Sequence, residues 1–139
     1  MQRRIYFLGD TTINAVRNRS IDVGEKFRAK RWQCMAGMGH FQLRYDVLWV
    51  LDPILACKIG QAQYRLLVWD RRIELPSDGD EGMRRMAGEF ILKHCANLIL
   101  TPNGHELYSR EAQGLDCILI MELGDEVLEV VGGAEGATT

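Results

Sequence analysis

The apolar residues of this chain come in short runs. The longest, such as Cys117-Ile118-Leu119-Ile120-Met121, hold five residues, whereas a membrane-spanning helix needs roughly 20. Arg3-Arg4 could open a secretion signal, but Asp10 cuts the apolar stretch Ile5–Leu8 far short of a signal core. Runs of this length, broken by Gly, Pro and Asp, suit strands and half-buried helices. The chain has 139 residues, 47% of them apolar and 26% charged, enough for one domain with one core. These features imply an intracellular, cytoplasmic α+β protein and exclude collagen-like, coiled-coil and disordered classes.

The pattern along the chain predicts β-α-β-β-α-β followed by further strands. Arg4–Leu8 reads as a strand stopped by Gly9-Asp10. Thr11 or Thr12 can cap a short helical stretch. A second helix start follows at Asp22-Val23-Gly24-Glu25, with Val23, Phe27, Cys34 and Met38 on one face and Gly37 and Gly39 ending it. Leu43–Leu51 alternates as a strand and is broken by Asp52-Pro53. Gln63–Leu75 reads as a long strand bulged near Asp70-Arg71-Arg72. The clearest helix starts at Asp80, with Met83, Met86, Ala87, Phe90 and His94 as its core-facing stripe. Leu98–Leu100 and Glu106–Ser109 flank a turn at Thr101-Pro102-Asn103-Gly104, and Leu115–Met121 pairs with Glu126–Val131 in a final hairpin. The expected architecture is one α+β domain over residues 1–131 with a mixed or antiparallel sheet and two main helices. Its order suggests a ferredoxin-like βαββαβ core plus the C-terminal hairpin. Residues 132–139 read as a flexible tail.

Charge is unevenly spread. Residues 1–31 hold eight bases against three acids, residues 32–110 hold nine of each, and residues 111–139 hold seven acids and no base. Such a gradient fits either a polyanion site at the basic end or two ends that face each other, within one chain or between copies. Cys34, Cys57, Cys95 and Cys117 show no paired spacing and read as reduced thiols.

Catalytic and metal motifs are weak. The segment Asp78–Gly82 starts like a calcium loop, but Gly82 and Met83 occupy positions that need an oxygen ligand and a glycine. Cys34, His40, Cys57, His94, Cys95 and His105 match no zinc spacing, so no metal and no cofactor are expected. Gly37-Met38-Gly39 is no phosphate loop. Asp10, Asp46 and Asp52 could converge as carboxylates, and His105 beside Glu106 sits in a turn.

The segment 17–32 mixes Arg17, Arg19, Lys26, Arg28, Lys30 and Arg31 with Phe27 and Trp32, a combination suited to phosphate neutralisation and stacking. Ile5–Asp10 resembles the first ribonucleoprotein strand of an RNA-recognition motif, with Tyr6 at the stacking position. The resemblance covers six residues. That family's partner strand carries a Lys/Arg-Gly-aromatic octamer. Here the corresponding stretch runs Gln61-Ala62-Gln63-Tyr64-Arg65-Leu66-Leu67-Val68, which lacks it, so the family is not assigned.

The function expected from these residues is that of a small non-enzymatic binding protein. It would contact an anionic partner, nucleic acid or an acidic protein surface, through Arg17, Arg19, Lys26, Arg28, Lys30 and Arg31, with Trp32 or Tyr6 available for stacking. Short strands poor in edge lysine also suggest a homodimer or larger assembly. The alternatives are a small hydrolase or nuclease working through Asp10, Asp46 or His105, and a structural subunit of a larger complex.

Overall fold

The computed structural model describes residues 3–39, 44–60 and 64–102, and the backbone of 104–107. The expected C-terminal hairpin, the tail and the seven acids of 111–139 lie outside the described residues. The elements run β1 (Arg4–Leu8), α1 (Asn14–Ala29), β2 (Gln33–Gly37), β3 (Tyr45–Val50), a 3-10 helix (Pro53–Lys58), β4 (Tyr64–Asp70), α2 (Gly79–Cys95), β5 (Leu98–Thr101) and β6 (Gly104–Leu107).

The sheet order is β2-β1-β3-β4-β5-β6. Among the described strands, the first five are parallel, and β6 runs antiparallel to β5. This overturns the mixed or antiparallel, ferredoxin-like expectation. The cause is local. Gln33–Gly37, which the sequence pattern places at the end of a helix, is a strand, and α1 starts at Asn14 instead of near Asp22. A helix between β1 and β2 makes a crossover, and a crossover returns the chain parallel, where a hairpin would reverse it. The long strand expected to reach Leu75 ends at Asp70, whose carboxylate accepts from the Arg72 amide at 3.1 Å and turns the chain. The order β2-β1-β3-β4-β5 is that of a doubly wound sheet whose direction of travel reverses between β1 and β3.

Side chains alternate across the pleat, so each strand feeds two cores. Ile5, Phe7, Val47, Trp49 and Val68 pack with Val16, Val23 and Phe27 of α1. Tyr6, Leu8, Leu48, Leu67 and Trp69 pack on the other side with Leu55, Ala56, Leu92 and Ala96. Phe27 meets Trp32 edge-on at 4.9 Å and Trp49 at 6.0 Å, pairs worth about 0.5–1.5 kcal/mol each beyond burial.

The second helix departs from its expected orientation. Its buried positions are Gly82, Arg85, Gly88 and Leu92, while Met83, Met86 and Phe90 are exposed by 71%, 69% and 65%. Two glycines explain this. A Cβ at Gly88 would overlap the Pro53 carbonyl, and one at Gly82 would overlap Ser77. The helix therefore docks by backbone approach to the 3-10 helix, and its apolar stripe turns outward.

Candidate functional site

Parallel strands start at one end of the sheet and finish at the other, so the topology sorts the polar residues into two groups. At the finishing end, Asp10 follows β1. One of its carboxylate oxygens accepts from the Thr12 hydroxyl at 2.7 Å and the Thr12 amide at 3.0 Å. Those bonds hold the Asp10 carboxyl below its ordinary pKa. Asp52 follows β3 and is buried against Arg85. Asp70 ends β4, accepts from the Trp49 indole at 3.0 Å, and takes two bonds from the Arg72 guanidinium at 2.7 and 2.8 Å. Beside these pairs lies a cleft of about 470 Å³ lined by Trp69, Asp70, Arg71, Pro76, Arg85 and Glu89.

Each of the two buried carboxylates in this region has both oxygens bonded, Asp52 to Arg85 and Asp70 to Arg72. Such pairs tie elements of the fold together. The residues of the hydrolase reading are apart. Asp46 aligns with the start of β1, where it accepts from the Arg4 amide, while Asp10 lies beyond the end of β1. The intervening chain spans on the order of 20 Å. His105 of β6 pairs with Leu100, four strand spacings from β1, or ~19 Å. Among the described residues, no three His, Cys, Asp or Glu side chains group as metal ligands, and no helix is long and apolar enough to cross a membrane.

The starting end is basic. Lys26 and Arg28 lie in the last turn of α1, and Lys30 and Arg31 follow it. Arg31 adopts a left-handed backbone, φ 67°, and its amide donates to the Arg28 carbonyl at 2.9 Å. Arg3 precedes β1 and Arg4 opens it, Arg44 precedes β3, and Arg65 lies at the start of β4. Among the described residues, Asp46 is the acid at these strand starts, with Glu25 a turn further up α1. Bases in a last helical turn offset the helix dipole, which accounts for Lys26 and Arg28. The strand arginines have no such dipole to offset.

Of the six bases singled out in the sequence, Lys26, Arg28, Lys30 and Arg31 come together here. Arg17 and Arg19 do not. Fourteen residues of helix and turn separate Arg17 from Arg31, about 20 Å. Arg17 bonds Asn14 at 2.7 Å, and the Arg19 Nε lies 3.9 Å from Asp70 at the other end of the sheet. Tyr6 and Trp32, expected to offer stacking faces, are each 5% exposed. The Tyr6 hydroxyl donates to the Gly39 carbonyl at 3.0 Å, and Trp32 packs on Phe27 with the Arg3 guanidinium 5.8 Å from its ring. Burial in the core withholds both ring faces from a nucleobase. Sequence reading misses Arg3, Arg4, Arg44 and Arg65 because they are scattered along the chain, and only parallel pairing aligns them.

The chain matches no known protein family, and neither curated proteins nor solved structures show a match to it.

Proposed function

We propose that the chain is a non-enzymatic binding protein that docks the phosphate backbone of a nucleic acid on the starting end of its sheet. The observation that carries this reading is that Arg3, Arg4, Arg44 and Arg65 gather at the strand starts, at the same end of the sheet as Arg28, Lys30 and Arg31, with Asp46 as the acid between Arg4 and Arg65. Guanidinium groups suit phosphate oxygens because their planar donor fork can bind two of them at once. With Tyr6 and Trp32 buried, recognition rests on charge and not on stacking, so binding follows the salt dependence of counterion release.

The test is fluorescence anisotropy of mixed-sequence single- and double-stranded oligonucleotides across a salt series. The expected result is binding to both that weakens steeply with salt, with a shallower slope for Arg44→Ala/Arg65→Ala. Binding that ignores these substitutions, or no binding at low salt, overturns the reading. In the latter case an acidic protein surface, or the chain's own acids, becomes the candidate partner.

A further inference from the structure

We propose that two copies of the chain pair through the outward face of α2, with the two helices antiparallel. The face carries Met83, Met86 and Phe90, with Ile91 at its edge and 41% exposed. The Phe90 and His94 rings meet edge-on at 4.8 Å on the same face. Large side chains left in water at this spacing form the seam of a helix pair, and a contiguous exposed apolar patch marks an interaction site.

The charges on α2 select a second copy as the partner. Asp80 and Glu81 lie in the first turn, and Lys93 and His94 in the last. Glu81 is engaged with Arg85 at 3.5 Å, whereas Asp80 is exposed two turns before Ala87 on the outward side. A two-fold axis at Ala87 sets Asp80, seven residues before it, beside the partner's His94, seven residues after it. Lys93 lies next to the same contact, and the symmetry repeats it at the other end. Parallel pairing would instead oppose Asp80 to its own copy and Lys93 to its own. Antiparallel helices also oppose their dipoles favourably. The exposed Ala87 puts a small side chain on the axis, where it allows the close helix approach of about 8 Å. The arrangement is self-complementary, as a closed two-fold interface must be.

Sedimentation equilibrium of the full chain across the micromolar range tests this. The expected result is a dimer that Phe90→Glu weakens by at least about tenfold. Asp80→Lys alone weakens it about tenfold through like-charge contact with the partner's Lys93. Adding Lys93→Glu and His94→Glu to Asp80→Lys restores most of the affinity. Circular dichroism checks that each variant folds, and all four positions lie on the solvent side of the helix. A monomeric wild type overturns the proposal. If Met83 and Met86 then resist peroxide, residues 108–139 of the same chain are the cover. A dimer that tolerates every one of these substitutions overturns it as well.

Discussion

Arg85 donates its Nε and one terminal nitrogen to the two carboxylate oxygens of Asp52, each at 3.1 Å. The pair joins α2 to the end of β3 at a position where both side chains are buried. Arg85 also donates to the Pro76 carbonyl at 2.9 Å, and Asp52 accepts from the Ile54 amide at 3.0 Å, where the 3-10 helix begins. The bonds to Asp52 hold the guanidinium in its charged form and raise the Arg85 pKa. One ion pair thus links β3, the 3-10 helix, the loop after β4 and α2.

Removing half of this pair leaves a buried charge without its partner. Arg85→Leu is expected to lower stability by about 3–5 kcal/mol. Arg85→Leu combined with Asp52→Asn should recover part of that loss, because the orphaned charge goes too. Urea denaturation of the two variants measures both. Equal loss in the single and the double variant would show that packing, and not the orphaned charge, dominates.

Gly88→Ala sets helix propensity against contact. In an open helix the change stabilises by about 1 kcal/mol. Here the added methyl meets the Pro53 backbone carbonyl, an atom that cannot swing aside, so a net loss of about 1–3 kcal/mol is expected. Thermal or urea unfolding gives the sign, and a gain would mean that α2 does not dock this closely.

Arg31→Gly separates fold from function. The left-handed backbone at this position costs an L-residue about 1–2 kcal/mol, and glycine removes that cost while adding flexibility to the unfolded chain. The expected net gain is up to about 1 kcal/mol, with weaker oligonucleotide binding from the lost guanidinium. A loss of stability would show that the side-chain contacts of Arg31 outweigh its backbone strain.

Alkaline pH should destabilise the protein. Burial raises the thiol pKa of Cys34, with Arg28 opposing it, and raises that of Cys95. Burial likewise raises the Tyr45 and Tyr64 phenols. Each group holds its proton more tightly folded than unfolded, so unfolding releases protons as pH rises. Their contribution is intact below the ordinary values of 9.0 for the thiols and 10.0 for the phenols, and is lost as pH climbs through the raised folded values. A melting temperature that stays level through this range would contradict the assignment. Thiol labelling near neutral pH should modify the exposed Cys57 before Cys34 or Cys95.

Much of the strand content is legible in the sequence. Arg4–Leu8, the alternation around Tyr45–Val50, and Leu98–Leu100 read as strands because their apolar residues are the ones that become buried. Gln33–Gly37 is not legible. It is an edge strand of mostly exposed positions, so it lacks the alternation by which strands are recognised. The basic segment is visible as composition, but its division between two ends of the sheet is not.

The sequence by itself determined that several strands would form from short apolar runs, and that a helix would begin near Asp80. Tertiary structure decided the direction of the strands, because a crossover through α1 and not a hairpin joins β1 to β2. It also decided which side of α2 faces inward. Periodicity assigns the core to Met83, Met86 and Phe90. The structure buries Gly82, Arg85 and Gly88 instead, because backbone contact at two glycines and an ion pair to Asp52 hold the helix there. Neither interaction leaves a hydrophobic signal in the chain, since both depend on groups that only the folded arrangement brings within reach.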